Sequence, residues 1–155
     1  MSKIHSTAII DKNCTIGNNV TVGAYTVIEG NVKIDDDNII FPSVYISGNT
    51  DIGKSNKIFS FSSIGAVPQD LKFNNEKSKL RIGDKNTIRE HCTFNLGTKG
   101  GGMLTEVGDN SLFMAGVHIA HDCIIRNNTI LANQVTLGGH VRVDDNAVLG
   151  GLSAV

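Results

Sequence analysis

The sequence predicts an all-β fold in which short parallel strands wind into a triangular prism, the parallel β-helix. An aliphatic residue recurs at every sixth position over most of the chain, a small residue stands two positions before it, and glycine often follows it. A period of six fits neither the 3.6-residue period of an α-helix nor the two-residue alternation of a long strand. Three such hexads make one coil, and successive coils stack at the inter-strand spacing of about 4.8 Å.

The large aliphatic position can be followed from one end of the chain to the other. Every sixth residue from Ile4 to Ile64 is Ile or Val, the step resumes at Ile82, and after a shift of phase by one residue it runs from Val107 to Val155. Residues two apart in an extended segment face the same side. Each hexad is therefore expected to send one large and one small side chain into the prism, with glycine where the chain turns sharply.

The three cysteines, Cys14, Cys92 and Cys123, all fall on the small inward position. Their odd number and wide separation argue against a disulfide framework. We expect them to be small buried hydrophobic residues rather than metal ligands or nucleophiles.

The composition narrows the class of protein. The 155 residues suit one domain, the formal net charge is −1, and no basic run is present. This balance predicts neither a nucleic-acid partner nor a membrane surface. No apolar segment approaches the roughly 20 residues that a membrane crossing needs, and the N-terminus lacks the apolar stretch of a signal peptide. We expect a cytoplasmic protein without stable membrane insertion.

Two segments interrupt the hexads, at 66–81 and 96–106. The first has few apolar residues and contains the turn-forming Pro68, Asn74 and Asn75. The second contains three consecutive glycines but lacks the Lys-Ser/Thr ending of a phosphate-binding P-loop. Long loops on a repeat scaffold often bind ligands, so we expect a binding role for the first loop. For the second loop, we leave open both a binding role and the alternative of a surface loop without a function.

The stretch GVHIAHDC contains two histidines and an aspartate within five positions. His118 directly precedes the inward Ile119 and is therefore expected to face outward. His121 and, one coil later, His140 fall near the same corner, within about 10 Å of each other. Imidazole is the usual base at neutral pH, and the neighbouring Asp122 could orient the ring. The alternative is that these histidines are merely exposed to solvent.

A series of motifs resembles those of a known enzyme family and covers essentially the whole chain. The motifs are QDLK (69–72), IGDKNTIRE (82–90), GTKGGGMLTEVGDN (97–110), HIAHDC (118–123), ILANQVTLGGHVRVDD (130–145) and GGLSAV (150–155). Together they are similar to the acyl-[acyl-carrier-protein]–UDP-N-acetylglucosamine O-acyltransferases of lipid A biosynthesis, which are hexapeptide-repeat acyltransferases. Hexads alone are shared by many acyltransferases, so the QDLK, HIAHDC and GGG segments are the specific part of the resemblance.

The resemblance implies a left-handed parallel β-helix and a reaction. The reaction is transfer of a 3-hydroxyacyl chain from acyl carrier protein to the 3-hydroxyl of UDP-N-acetylglucosamine, the first step of lipid A biosynthesis. The resemblance also implies that His121 is the general base with Asp122 as its partner. The N–H of Gly139 would donate to the thioester oxygen as negative charge develops there. His118 and His140 would line the substrate cleft.

By the same resemblance, Asp70 and Lys72 of the first loop would contact the sugar nucleotide, with Gln69 beside them. A lysine suits the diphosphate as a compact positive charge. Family members are homotrimers with sites between subunits, and neither a metal nor an organic cofactor is implied. They continue with further coils and a C-terminal helical domain. Residues 1–155 are therefore expected to form a single β-helix domain. We expect this sequence to stop in mid-prism and to be part of a longer protein.

Three other functions stay open at the level of sequence. The related N-acyltransferase of the same pathway would use an amine acceptor, although the QDLK loop disfavours it. A zinc-dependent carbonic anhydrase on the same fold would need His118, His121 and His140 to meet on one ion. A non-catalytic scaffold would be expected to present flat, regular faces without the two loops.

Overall fold

The computed structural model describes residues 1–155 and consists almost entirely of short parallel strands. In chain order the strands are β1 (Lys3–Ile4), β2 (Ile9–Ile10), β3 (Thr15–Ile16), β4 (Thr21–Val22), β5 (Val27–Ile28), β6 (Asn31–Ile34), β7 (Ile39–Ile40), β8 (Tyr45–Ile46), β9 (Asn49–Ile52), β10 (Lys57–Ile58), β11 (Ser63–Ala66), β12 (Lys79–Ile82), β13 (Thr87–Ile88), β14 (Thr93–Asn95), β15 (Leu104–Val107), β16 (Leu112–Phe113), β17 (His118–Ile119), β18 (Ile124–Ile125), β19 (Ile130–Leu131), β20 (Thr136–Leu137), β21 (Arg142–Val143) and β22 (Val148–Leu149).

Every third strand belongs to the same wall of the prism. The walls contain eight, seven and seven strands, and each strand pairs in parallel with the strand three places later in the chain. Lys3 pairs with Thr21 and Val22 with Ile40, so each uninterrupted coil repeats after 18 residues. The architecture is the expected left-handed parallel β-helix.

The hexad residues fill the interior of the prism. Twenty-seven buried hydrophobic residues form one core cluster that extends from Val20 to Val143. The cysteines occupy small inward positions as expected: Cys92 and Cys123 are fully buried, and Cys14 is half-buried in the first coil. Burial raises the pKa of both buried thiols to about 11. They therefore stay protonated at neutral pH and act as small packing groups.

Two loops leave the regular stack on the side of β11 and β14. The first loop spans residues 67–78 and the second loop spans residues 96–103. Equivalent positions lie 30 residues apart across the first loop and 25 apart across the second, instead of 18. The second loop contains a three-residue 3₁₀ turn, Lys99–Gly101, and no helix has the length and apolar character needed to cross a membrane.

The bounds expected for the loops, 66–81 and 96–106, are wrong at their C-terminal ends. Lys79 pairs with Leu104, and both strands begin there instead of three residues later. The reason is the fully buried Leu80, which fills the inward position two residues before the next hexad residue. Sequence periodicity did not assign a large residue to that position, because most hexads have a small one.

A column of buried asparagines runs along one inner corner of the prism. Asn38, Asn56 and Asn86 occupy the small inward position of three successive coils. The backbone N–H of Asn56 donates to Asn38 Oδ1 at 2.8 Å, and that of Asn86 donates to Asn56 Oδ1 at 2.8 Å. Each side-chain amide also donates to a glycine carbonyl of the following coil. The column thus satisfies backbone groups that the turn would otherwise leave unpaired.

Replacing Asn56 by Ala is predicted to destabilise the prism. The change leaves the N–H of Asn86 and the C=O of Gly83 buried without partners. Each orphaned group costs about 1–3 kcal/mol, so the free energy of unfolding should fall by about 3 kcal/mol in urea unfolding followed by circular dichroism. The exposed Asn133, whose side chain bonds to nothing in the protein, is the matched control, and Asn133→Ala should change stability by less than about 0.5 kcal/mol. Equal midpoints for the two variants would contradict the structural role of the column.

Candidate active site

His121 and Asp122 form a hydrogen-bonded pair at the corner that follows β17. The chain turns at Asp122, which adopts a left-handed backbone conformation with φ of 60°. His121 Nδ1 lies 2.8 Å from Asp122 Oδ2. An ionised carboxylate can only accept, so Nδ1–H is the donor, and in the neutral ring this tautomer has a free lone pair on Nε2. The orienting contact expected between these two residues is therefore present in the structure.

The carboxylate of Asp122 is shielded from solvent and takes hydrogen bonds from the second loop. Its side chain is 0% exposed. Thr98 donates its backbone N–H to Oδ1 at 2.7 Å and its hydroxyl to Oδ2 at 2.5 Å. The backbone N–H of Asp122 donates in turn to Thr105 Oγ1 at 2.8 Å. Sequence reasoning missed Thr98, although it lies only two residues before the three consecutive glycines of the second loop.

His140 meets His121 across the boundary between two coils. The two ring centroids are 5.1 Å apart and the rings are nearly perpendicular, well inside the separation of about 10 Å expected from coil stacking. The backbone N–H of His140 donates to the carbonyl of His121 at 3.0 Å, which fixes the two corners to each other. His140 Nδ1 lies 3.9 Å from Asp122 Oδ2. The imidazoles of His121 and His140 therefore both lie next to the carboxylate of Asp122.

Gly139 lies against the ring of His121. A Cβ added to Gly139 would overlap the imidazole, so any larger residue would displace the ring. The N–H of Gly139 donates to no group of the protein. A free backbone donor thus lies beside the imidazole, which is the arrangement needed to receive a developing oxyanion next to a base.

His118 faces outward on β17, as expected from the hexad phase. Its Nδ1 lies 2.7 Å from Thr93 Oγ1 on the neighbouring coil. Burial, with a smaller contribution from the nearby His121, lowers the pKa of His118. His118 therefore stays neutral at physiological pH, and its uncharged ring can donate one hydrogen bond and accept another.

The two loops and His140 enclose a polar cleft of about 460 Å³. Asp70, Lys72 and Glu76 of the first loop line it, and no hydrophobic residue contributes to its wall. The backbone N–H of Lys72 donates to Asp70 Oδ1 at 2.9 Å, which shapes the loop. Such a wall suits a polar, charged ligand. Gln69 is exposed and is not among the residues that line this cleft, although it directly precedes Asp70.

The side-chain atoms that could ligate a metal ion belong to a hydrogen-bonded group. One such atom from each of His121, Asp122 and His140 lies within 4.8 Å of the other two. Both oxygens of Asp122 already accept hydrogen bonds, from Thr98 and from His121. His118 is outside this group and is bonded to a threonine. The three-histidine ligand set of the carbonic anhydrase alternative is therefore wrong for this structure.

Comparison with known proteins agrees with the motifs. A family profile described as bacterial transferase hexapeptide (six repeats) matches residues 105–139. The acyl-[acyl-carrier-protein]–UDP-N-acetylglucosamine O-acyltransferase of Aliarcobacter butzleri is 56% identical over all 155 residues, which span 60% of its length.

Solved structures agree with the sequence relatives. LpxA from Acinetobacter baumannii is 44% identical and superposes with a TM-score of 0.97, covering 97% of this chain and 58% of that one. The UDP-N-acetylglucosamine acyltransferase from Campylobacter jejuni is 41% identical with a TM-score of 0.94, covering 98% of this chain and 59% of that one. The chain thus spans about three fifths of the length of these relatives. By sequence and by fold, the chain is similar over this length to hexapeptide-repeat proteins named acyl-[acyl-carrier-protein]–UDP-N-acetylglucosamine O-acyltransferases.

Proposed function

We propose that the protein transfers a 3-hydroxyacyl chain from acyl carrier protein to the 3-hydroxyl of UDP-N-acetylglucosamine, at the start of lipid A biosynthesis. The observation that carries the proposal is the His121–Asp122 pair, with a free Nε2 beside the unpaired N–H of Gly139. The names of the relatives supply the substrates, since they specify an acyl carrier protein, a sugar nucleotide and transfer to oxygen.

In the proposed reaction, Nε2 of His121 removes the proton from the sugar 3-hydroxyl. The sugar oxygen attacks the thioester carbonyl and forms the new C–O bond. The carbonyl oxygen becomes an oxyanion facing the N–H of Gly139. Collapse of this intermediate breaks the C–S bond, and the leaving thiolate of the carrier takes the proton back from His121. Asp122 stabilises the imidazolium that exists between the two proton transfers.

The polar cleft is proposed to bind the sugar nucleotide. Lys72 would face the diphosphate as a compact positive charge, and Asp70 would accept from sugar hydroxyls. His118 and His140 would line the path between the cleft and the base. Gln69, which is exposed in the same loop, is proposed to contact a part of the sugar nucleotide that extends beyond the cleft.

We further propose that the protein works as a homotrimer in the cytoplasm. The active-site corner is convex, so a second subunit would be needed to wall off the acyl chain. Exposed aliphatic residues run along one wall of the prism, at Ile39, Ile130 and Val148, and suit a subunit contact. Three free cysteines fit a reducing compartment.

A solution mass of three copies is expected from light scattering, and a monomer at micromolar concentration would contradict the assembly.

His121→Ala in the full-length protein is predicted to lower kcat by about 10²–10⁴-fold, because the general base is lost. The assay measures acyl transfer from acyl carrier protein to UDP-N-acetylglucosamine, with the corresponding amine sugar offered in competition. The exposed His5 on the first coil is the control, and His5→Ala should retain wild-type turnover. Near-wild-type turnover of His121→Ala would refute the base, and preferential acylation of the amine would refute the O-transfer.

A further inference from the structure

Apart from His121, one residue of the second loop supplies the hydrogen bonds to the buried carboxylate of Asp122. A carboxylate that is shut off from water stays ionised only if donors replace its hydration. Apart from the pair with His121, the side-chain oxygens of Asp122 accept hydrogen bonds only from Thr98. The hydroxyl of Thr98 and Nδ1 of His121 share the same oxygen, Oδ2. The position of Thr98 therefore sets how much of the carboxylate charge faces the imidazole.

The second loop holds Thr98 tightly over the carboxylate. Thr98 is only 4% exposed, and its carbonyl accepts from the N–H of Gly101 at 3.1 Å and of Met103 at 2.9 Å. A Cβ on Gly101 would overlap the carboxylate of Asp122, so the loop passes directly across it. These contacts distinguish the second loop from a surface decoration, because its backbone is fitted to one buried side chain.

Glu76 joins the second loop to the first. One carboxylate oxygen of Glu76 accepts from the backbone N–H of Lys99 at 3.1 Å, and the other accepts from that of Asn74 at 2.6 Å. The hydrogen bond from Lys99 is the main cause that lowers the pKa of Glu76, so the link is charged at neutral pH. Lys99 directly follows Thr98. These hydrogen bonds, together with the peptide bond between Thr98 and Lys99, thus connect the first loop to the proposed base.

We propose that Thr98 is a positioning residue for the His121–Asp122 pair, and that Glu76 makes its position depend on the first loop. The proposal rests on the proposed function, in which His121 is the base. Movement of the first loop around a sugar nucleotide is then transmitted through Glu76 and the second loop to Asp122. The charge and orientation of the base become linked to occupancy of the polar cleft.

The test compares Thr98→Val with Thr98→Ser in the full-length protein. Val keeps the shape and the backbone N–H but removes the hydroxyl, whereas Ser keeps the hydroxyl. We expect kcat/KM of Thr98→Val to fall at least about tenfold and that of Thr98→Ser to stay within about threefold of wild type. The exposed Thr15 of the first coil lies outside the wall proposed as the subunit contact and is the matched control, so Thr15→Val should leave kcat/KM unchanged.

The pH profile separates positioning from a merely structural effect. Asp122, His140 and His118 are the titratable groups that face the His121 ring, and the substitution leaves all three in place. Without the hydroxyl, more carboxylate charge falls on the imidazole, so the acid limb of kcat/KM should move to higher pH by roughly 0.5–1 unit. A wild-type profile in Thr98→Val, with or without a loss of rate, would overturn the proposal. Failure of the wild-type protein to transfer any acyl chain would instead overturn the proposed function.

A double-mutant cycle tests the link to the first loop. If Glu76 acts through Thr98, Glu76→Ala should lower kcat/KM in the wild-type background and add little in the Thr98→Val background. Losses that multiply independently would show that Glu76 acts on the substrate alone and would remove it from the proposal.

Discussion

In-register stacking of one coil on the next is the constraint on which the site depends. Each inward aliphatic residue is committed to the core, and a shift of one residue would turn it outward to solvent. The parallel ladder therefore fixes the corner residues of adjacent coils relative to one another. His140 lies over His121 because its N–H donates to the carbonyl of His121, and His118 lies beside Thr93 because their strands pair. The pairing of the coils, and not a pocket formed around the histidines, therefore brings the imidazoles of His118, His121 and His140 close to the same corner.

The buried carboxylate of Asp122 orients the imidazole at this fixed corner. Asp122 accepts Nδ1–H of His121 and so holds the imidazole in the tautomer whose Nε2 is free. The ring lies against Gly139, where a side chain would displace it, and the N–H of that glycine has no other partner. The proposed base and the proposed oxyanion donor thus come from two coils that the fold holds in register. The two loops add polar walls to a surface that is otherwise regular.

The sequence predicted the prism, its inward residues and the meeting of His121 with His140, because these follow from a local period repeated without interruption. It did not predict the strand starts at Lys79 and Leu104, since the ladder that extends these strands pairs two segments that each follow an irregular loop. Thr98 was also missed, because its contact with Asp122 spans 24 residues and depends on how a glycine-rich loop folds. Periodicity carries no information about such a contact, whereas the motifs indicated the region without giving the partner.

The protonation state of the His121 ring nitrogens tests the central claim most directly. Side-chain nitrogen NMR on histidine-labelled protein near neutral pH distinguishes a protonated ring nitrogen from one with a free lone pair. The hydrogen bond to Asp122 predicts a proton on Nδ1 and a free lone pair on Nε2 of His121. A ring protonated on Nε2 alone would contradict the account, because such a ring could not accept the proton of a hydroxyl group at that atom.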